Sequence, residues 1–331
     1  MNYYDIPKVE LHVHLDGSMK PETVASILNM DLDEVKKEMT VTEDCHDLNE
    51  YLTKFALPIK ALNSRENLYR AARELALDLK LENVVYAEVR FAPMQHVSTS
   101  LSKENIVESV LEGFKSVDGI IVNTILCMMR NASFETNLEV IDLASKYAKK
   151  GVVGIDLAGA EALYKTSSFK DLFDIANKNN LMITIHAGEA DGVSSIESAL
   201  NFNARRIGHG IRIVEDMTLL DRTINEHICF EVCPTSNVQT LAATDIKNHP
   251  IDFLYKKGAL VSINTDNRTV SNTSLEHEYE VLSKTFGYKV SDFIKMNEYA
   301  IESSFADEDT KDKVKKLIHN FELTIQNNKD E

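Results

Sequence analysis

The chain has 331 residues, of which 44% are hydrophobic, so it can bury a core of the size that a large single domain requires. Its formal net charge of −16 argues against nucleic acid, anionic membranes or polyphosphates as partners and fits a neutral or cationic small molecule. No apolar stretch is long enough to span a membrane, and residues 1–5 lack the features of a signal peptide. With only four cysteines there is no disulfide framework, so we expect reduced thiols in a cytoplasmic protein.

Eight short segments rich in Val and Ile predict buried parallel strands, because most of them do not alternate strictly between apolar and polar residues. In chain order they are 9–15, 84–91, 123–130, 152–159, 182–186, 206–209, 228–234 and 260–265. Helical patterns separate most of them, and two of these helices are expected to begin at Ser64 and Ser102. Eight strands alternating with helices predict an α/β fold, the (β/α)8 or TIM barrel.

Two segments are additional to the eight strands and eight helices of a minimal (β/α)8 barrel. Residues 18–82 join the first two strands and predict helices over 21–29, 31–38, 49–62 and 64–80. We expect the first part of this insertion to form a lid over the mouth of the barrel. Residues 274–328 follow the eighth strand and predict additional helices. Because the sequence has no Pro- or Gly-rich linker and no internal repeat, we expect residues 1–331 to form a single domain.

Candidate metal ligands stand at the ends of four predicted strands. His12 and His14 alternate on the first strand, so both imidazoles face the same side. His186, His209 and Asp266 end strands five, six and eight. A barrel builds its active site at the C-terminal ends of its strands, so these side chains are expected to converge. Three imidazoles and a carboxylate suit zinc or another borderline divalent ion.

Other interpretations of these residues stay open. Asp266 alone could cap a loop or helix, and His209 could be a hydrogen-bonded core residue. Glu189 could stabilise the first turn of a helix near 193–200, or act as a general acid/base beside a metal-bound water. The other six histidines have no partner pattern, so we expect surface or core positions for them. Residues 156–161 at the end of strand four include no lysine that could bridge two metals, which favours one ion.

Six motifs occur in a fixed order over nearly the whole chain. They are Pro7-Lys8-Val9-Glu10-Leu11-His12-Val13-His14-Leu15-Asp16-Gly17, Leu157-Ala158-Gly159-x-Glu161, His186-Ala187-Gly188-Glu189, Arg206-Ile207-Gly208-His209-Gly210, Glu231-Val232-Cys233-Pro234-x-Ser236-Asn237 and Asn264-Thr265-Asp266. Together they resemble the adenosine deaminases of the metal-dependent amidohydrolase superfamily, in their bacterial form. The resemblance implies zinc-dependent hydrolytic deamination of adenosine and 2′-deoxyadenosine to inosine and 2′-deoxyinosine in purine salvage.

The resemblance also implies a role for each site residue. His12, His14, His186 and Asp266 would bind one zinc ion, with His14 also bordering the substrate. His209 and Asp266 would hold and polarise the zinc-bound water, and Glu189 would donate a proton to purine N1. Gly159 would donate its backbone N–H to N3, and Asp16 would accept the ribose 5′-hydroxyl. The apolar lid over the ribose would consist of Tyr51, Leu52 and Phe55.

One position departs from the animal members of this family. They have a second Asp that contacts purine N7, whereas this chain has Asn267 after Asp266. An Asn amide can donate an N–H to N7, so we expect Asn267 to make that contact.

Rival activities are deamination of adenine, of AMP or of another adenosine derivative. Asp16 would repel a phosphate, and free adenine would leave Asp16 and the lid without a ribose to contact. A binding protein without chemistry is disfavoured by Glu189 and the intact ligand set. An amide or phosphotriester hydrolase is disfavoured by the missing lysine on strand four.

Overall fold

A computed structural model describes residues 5–42, 45 and 47–330 of the chain. Its eight strands are β1 Lys8–His14, β2 Val84–Phe91, β3 Ile121–Met129, β4 Val152–Ala158, β5 Thr184–Ala187, β6 Arg206–His209, β7 Cys229–Val232 and β8 Leu260–Ile263. They form two four-stranded sheets, in the orders β1-β2-β3-β4 and β5-β6-β7-β8. Every pair of neighbouring strands within a sheet is parallel.

The two sheets close into a barrel at two seams. At the first seam Ile155 of β4 pairs with Ile183, next to β5. At the second seam Val13 of β1 pairs with Asp266, just after β8. There the N–H of His14 donates to the carbonyl of Asp266 at 2.7 Å, and the N–H of Asp266 donates to the carbonyl of His12 at 3.0 Å. The predicted (β/α)8 barrel is confirmed, and its closure brings two ligand-bearing segments side by side.

Helices follow each strand. After β1 come α1 Pro21–Leu28, α2 Leu32–Met39, α3 Leu48–Leu52, α4 Ala56–Ala61 and α5 Arg65–Leu81. Strands β2 to β6 are followed in turn by α6 Lys103–Lys115, α7 Phe134–Tyr147, α8 Lys170–Lys178, α9 Val193–Asn201 and α10 Met217–Asn225. After β7 come α11 Pro234–Gln239 and α12 Ile251–Lys256, and after β8 come α13 Leu275–Phe286, α14 Val290–Ser303 and α15 Glu308–Asp330. None of the helices in the described part of the chain is long and apolar enough to cross a membrane.

The two predicted helix starts are confirmed, because the side chains of Ser64 and Ser102 each accept a backbone N–H three residues on, at 3.2 Å. The prediction of one continuous helix over 49–62 is wrong. It is broken into α3, a 3₁₀ turn over Thr53–Phe55 and α4. Pro58 contributes to the break, because it has no N–H to close a helical bond to the carbonyl of Lys54.

One large hydrophobic core cluster includes residues from Ile6 before β1 to Met296 in α14. The insertion between β1 and β2 is tied to the loop after β8, where the N–H of Val41 donates to the carbonyl of Val270 at 3.0 Å. This continuity supports our proposal that residues 1–331 form one domain.

Candidate active site

Four candidate ligands converge at the C-terminal mouth of the barrel. His12 and His14 lie on β1, His186 lies on β5, and Asp266 lies in the turn after β8. One ligand atom from each residue lies within 4.8 Å of the other three. The Nε2 atom of His14 is 3.3 Å from Nε2 of His186 and 3.4 Å from Oδ1 of Asp266. Asp266 has a φ of 61°, a left-handed conformation that non-glycine residues rarely adopt and that is concentrated at functional sites.

The donor set fits a divalent metal ion. The buried Nε2 atom of His12 has no hydrogen-bond partner among the described residues. The other ring nitrogens of two of these histidines face carboxylates: His12 Nδ1 is 2.8 Å from Glu231 Oε2, and His186 Nδ1 is 2.8 Å from Asp156 Oδ2. The Glu231 carboxylate holds Nδ1–H of His12 by a hydrogen bond and leaves the Nε2 lone pair of that ring for a metal. The ligand atoms of His12, His209 and Cys233 also lie close together, but that set offers only three donors.

The carboxylates behind the ligands are themselves held by arginines. Arg90 donates to Glu231 Oε2 at 2.8 Å and to Asp156 Oδ2 at 3.0 Å. Glu231 also accepts a bond from Arg206 at 2.6 Å. Although burial opposes ionisation, Arg90 and Arg206 hold the pKa of Glu231 well below its usual range. Glu231 therefore stays an acceptor for the Nδ1–H of His12.

Sequence reasoning assigned no role to Arg90, Asp156 or Ser236. Ser236 donates to Oδ2 of Asp266 at 2.7 Å and so orients that ligand. The available signal for Arg90 and Asp156 was a charged residue inside a mostly apolar strand, where an ion pair or a polar site is needed to stabilise the charge.

Glu189 follows β5 and is buried at the edge of the ligand group. Its Oε1 accepts a bond from the Thr240 hydroxyl at 3.0 Å, and its Oε2 lies 3.4 Å from Nε2 of His209. Burial raises the pKa of Glu189 well above its usual value, and the carboxylates of Asp266 and Glu161 raise this pKa further. Both effects favour the protonated form of the carboxyl group, which is the form that a general acid requires.

The turn that carries Glu189 wraps around the carboxylate of Glu161, which lies in the loop after β4. That carboxylate accepts the backbone N–H groups of residues 188–191 at 2.6 to 3.1 Å. It also accepts the hydroxyl of Ser195 at 2.5 Å. Four converging N–H groups bind a carboxylate firmly, so Glu161 fixes the backbone that presents Glu189.

A cavity of about 350 Å³ opens above the ligand group and is lined by all the predicted substrate-binding residues. They are His14, Asp16, Tyr51, Leu52, Phe55, Gly159 and Asn267. Glu189, His209 and Asp266 line the same cavity. Among the described residues on its wall, none is lysine or arginine. The structure thus brings together every residue that was predicted for the site.

The wall residues differ in how firmly they are held. Tyr51 is only 1% exposed, and its hydroxyl lies 2.6 Å from the Ser271 hydroxyl, so this part of the lid is attached to the loop after β8. Burial raises the pKa of Asp16 to about 6. The buried Oδ1 atom of Asn267 has no hydrogen-bond partner among the described residues. Its side chain packs against Gly17, where an added Cβ would lie 1.9 Å from Oδ1.

Of the six histidines without a predicted role, His96 and His249 are buried, whereas His227, His277 and His319 are exposed. His46 lies outside the described residues. The four cysteines are free thiols, as expected.

Comparisons with known proteins agree with this geometry. The chain matches the adenosine deaminase family over residues 7–321. It is 41% identical, over 331 residues, to an adenosine deaminase of Clostridium botulinum (strain Loch Maree / Type A3), with 96% of this chain and 98% of that protein covered. Among solved structures, adenine deaminase from Arthrobacter aurescens aligns with a TM-score of 0.87 at 26% identity, with 96% of this chain and 99% of that chain covered. The apo N6-methyl-AMP deaminase of Arabidopsis thaliana aligns with a TM-score of 0.85 at 30% identity, over 96% and 97% of the two chains. The chain therefore belongs to the adenosine deaminase family.

Proposed function

We propose that this protein hydrolyses adenosine and 2′-deoxyadenosine to inosine and 2′-deoxyinosine, with release of ammonia. The observation that carries the proposal is a buried carboxyl group, Glu189, beside the ligand group formed by His12, His14, His186 and Asp266. The raised pKa of Glu189 favours the protonated carboxyl group, and this group can supply the proton that addition to a purine ring requires.

We assign one zinc ion per chain to His12, His14, His186 and Asp266, because three imidazoles and one carboxylate form a donor set that suits zinc. Bound zinc supplies a Lewis acid that makes a hydroxide nucleophile available near neutral pH. His209 and Asp266 hold the attacking water, and Ser236 orients Asp266 through its 2.7 Å bond.

Glu189 donates its proton to N1 of the purine as the water adds its hydroxyl group to C6. The C6–N6 bond then breaks and the C6 carbonyl forms. Of the two protons brought by the water, one leaves with the amino group as ammonia and the other restores Glu189. Since Glu161 holds the backbone of residues 188–191, the acid keeps its position through this cycle.

The remaining wall residues position the nucleoside. The backbone N–H of Gly159 donates to N3, and the amide of Asn267 donates to N7. Asp16 accepts the 5′-hydroxyl. The lid residues Tyr51, Leu52 and Phe55 cover the ribose.

A neutral nucleoside fits this cavity better than a nucleotide. A 5′-phosphate needs a cation, but the described wall includes Asp16 and no lysine or arginine. A second candidate is an enzyme for adenine or another adenosine derivative. It is favoured by the likeness to the solved adenine deaminase and N6-methyl-AMP deaminase.

A substrate panel tests the proposal. The zinc-loaded protein is given adenosine, 2′-deoxyadenosine, adenine, AMP or N6-methyl-AMP, and loss of the adenine absorbance and release of the amine are followed. We expect kcat/KM for the two nucleosides to exceed the other values by at least about 100-fold, because a site that hydrogen-bonds a substrate hydroxyl rejects compounds that lack it. A higher kcat/KM for AMP, N6-methyl-AMP or adenine would support the second candidate, and no turnover at all would contradict both.

A further inference from the structure

His209 is the last of three buried side chains in a hydrogen-bonded chain. The backbone N–H of Ile251, at the start of α12, donates to Nδ1 of His249 at 3.1 Å. Nε2 of His249 lies 3.2 Å from Oδ1 of Asn237. Nδ2 of Asn237 lies 2.9 Å from Nδ1 of His209. The exposed fractions of His249, Asn237 and His209 are 3%, 0% and 1%, so bulk water does not compete for these bonds.

The backbone N–H at the start of this chain determines the direction of each bond. A backbone N–H can only donate, so Nδ1 of His249 is an acceptor and the proton of its neutral ring lies on Nε2. That Nε2–H donates to Asn237, whose carbonyl oxygen must therefore face His249. The amide nitrogen then faces His209 and donates to its Nδ1. If the Asn237 amide were reversed, its N–H group would face the N–H of His249.

Both imidazoles are neutral in this arrangement. Burial lowers the pKa of His249 to about 4. The ring of His209 is neutral because its Nδ1 accepts the Asn237 N–H, whereas a cationic imidazole has N–H on both nitrogens and cannot accept. A neutral imidazole carries one proton, and Nδ1 of His209 is occupied as an acceptor. The proton of His209 is therefore on Nε2, the atom 3.4 Å from Oε2 of Glu189.

We propose that Asn237 and His249 are positioning residues that fix the tautomer of His209, so that His209 presents an N–H to the reacting centre. This inference rests on the proposed function and deepens it. His209 then acts as a hydrogen-bond donor to the oxygen of the attacking water. The water's proton goes first to the carboxylate of Asp266. The opposite tautomer would present a lone pair and provide no donor at that position.

The direct test is the protonation state of His209 in the zinc-loaded protein, measured by long-range ¹H–¹⁵N NMR correlation with ¹⁵N-labelled histidine. We expect a protonated Nε2 and an unprotonated Nδ1. The isosteric variant Asn237→Asp cannot donate to His209, and its carboxylate instead accepts Nδ1–H. We expect the proton to move to Nδ1, and kcat for adenosine to fall by about 100-fold or more while zinc content is unchanged, since holding a histidine in the wrong tautomer is a large catalytic defect.

Two variants of His249 provide a matched pair. The Gln side chain of His249→Gln can place an N–H near the former Nε2, so it keeps the donor to Asn237. The shorter Asn side chain of His249→Asn can accept from Ile251 but does not reach Asn237. We expect His249→Gln to retain the Nε2–H tautomer and most of kcat, and His249→Asn to lose both.

Each outcome bears on the proposal. A wild-type His209 protonated on Nδ1 would overturn it, as would an unchanged tautomer and kcat in a folded Asn237→Asp variant. If Asn237→Asp does not fold, the wild-type spectrum and the His249 pair still decide. If the tautomer is as proposed but no adenosine is deaminated, the proposed function fails while the assignment of the tautomer stands.

Discussion

Glu161 accepts the backbone N–H of Glu189 at 3.0 Å, so one carboxylate holds the backbone of another at the edge of the ligand group. Together with burial and the charge of Asp266, Glu161 also raises the pKa of Glu189. A single residue from the loop after β4 thus affects both the position and the protonation of the proposed acid on the loop after β5.

The first prediction concerns Glu161. In Glu161→Gln one carboxylate oxygen becomes an amide N–H₂ group, so at least one backbone N–H of residues 188–191 loses its acceptor. We expect a loss of about 1–3 kcal/mol in the free energy of unfolding and a lower kcat for adenosine. Urea unfolding and steady-state kinetics measure the two effects. Glu135→Gln, at an exposed position on α7, is the control and is expected to match wild type in both.

The second prediction concerns Glu189 itself. Glu189→Gln keeps the shape of a buried protonated carboxyl group but removes its acidic proton. We expect kcat to fall by about 10²–10⁴-fold, with zinc content and melting temperature close to wild type. An unchanged kcat would mean that another group protonates N1.

The third prediction concerns the metal. We expect elemental analysis to find about one zinc ion per purified chain. His14→Ala removes one of the four donors, so this variant is expected to lose zinc and activity together. His277→Ala, which removes an exposed histidine from α13, is expected to keep both. Two ions per chain, or full activity without metal, would contradict the assignment.

The fourth prediction concerns Asn267. A neutral hydrogen bond is worth about 0.5–1.5 kcal/mol, so Asn267→Ala is expected to lower kcat/KM for adenosine by roughly 10-fold. The analogue 7-deazaadenosine has no acceptor at position 7. For this compound we expect Asn267→Ala to cause a much smaller loss of kcat/KM, or of affinity where it is measured as an inhibitor. An equal loss with both compounds would make Asn267 a structural residue that packs against Gly17.

The fifth prediction concerns the pH dependence of stability. Glu278 is fully buried and accepts bonds from the Thr273 hydroxyl at 2.5 Å and from the backbone N–H of Thr235 at 3.2 Å. Burial raises its pKa from 4.5 to about 7. Because the folded pKa lies above the unfolded value, the stabilisation from protonated Glu278 is complete below about pH 4.5 and is lost as the pH rises through about 7.

Glu278→Gln stays neutral at every pH, so it does not lose this contribution. We expect the free energy of unfolding of the variant, minus that of wild type, to rise by up to about 3 kcal/mol between about pH 5 and 8. Urea unfolding of the zinc-loaded proteins at several pH values measures it. Glu280→Gln, at an exposed position of the same helix, is expected to give a flat difference.

The convergence of the proposed ligands was predictable because strand ends in a barrel have little freedom of position. Once β1, β5 and β8 were recognised from their apolar runs, the barrel placed His12, His186 and Asp266 at one mouth. The insertion was harder to predict. The family resemblance implied Tyr51 as a lid residue, but its bond to Ser271 depends on a loop that is remote in sequence.

The supporting network was not predictable from single segments. Arg90 contacts Asp156 and Glu231, which come from two other strands, so neither pair is visible in the sequence around Arg90. His249 was indistinguishable from a core histidine, because its role depends on where Asn237 lies in the folded chain.

The seam between β1 and β8 also has a consequence for how the site is assembled during synthesis. The first two of the proposed ligands, His12 and His14, leave the ribosome early, whereas Asp266 follows only after all eight strands have been made. A nascent chain therefore lacks the complete donor set until the barrel can close. A metal ion bound there afterwards joins the first strand to the turn after the last, beside the backbone bonds of His14 and Asp266. We therefore expect metal binding to follow closure of the barrel and to stabilise the contact between β1 and the turn after β8.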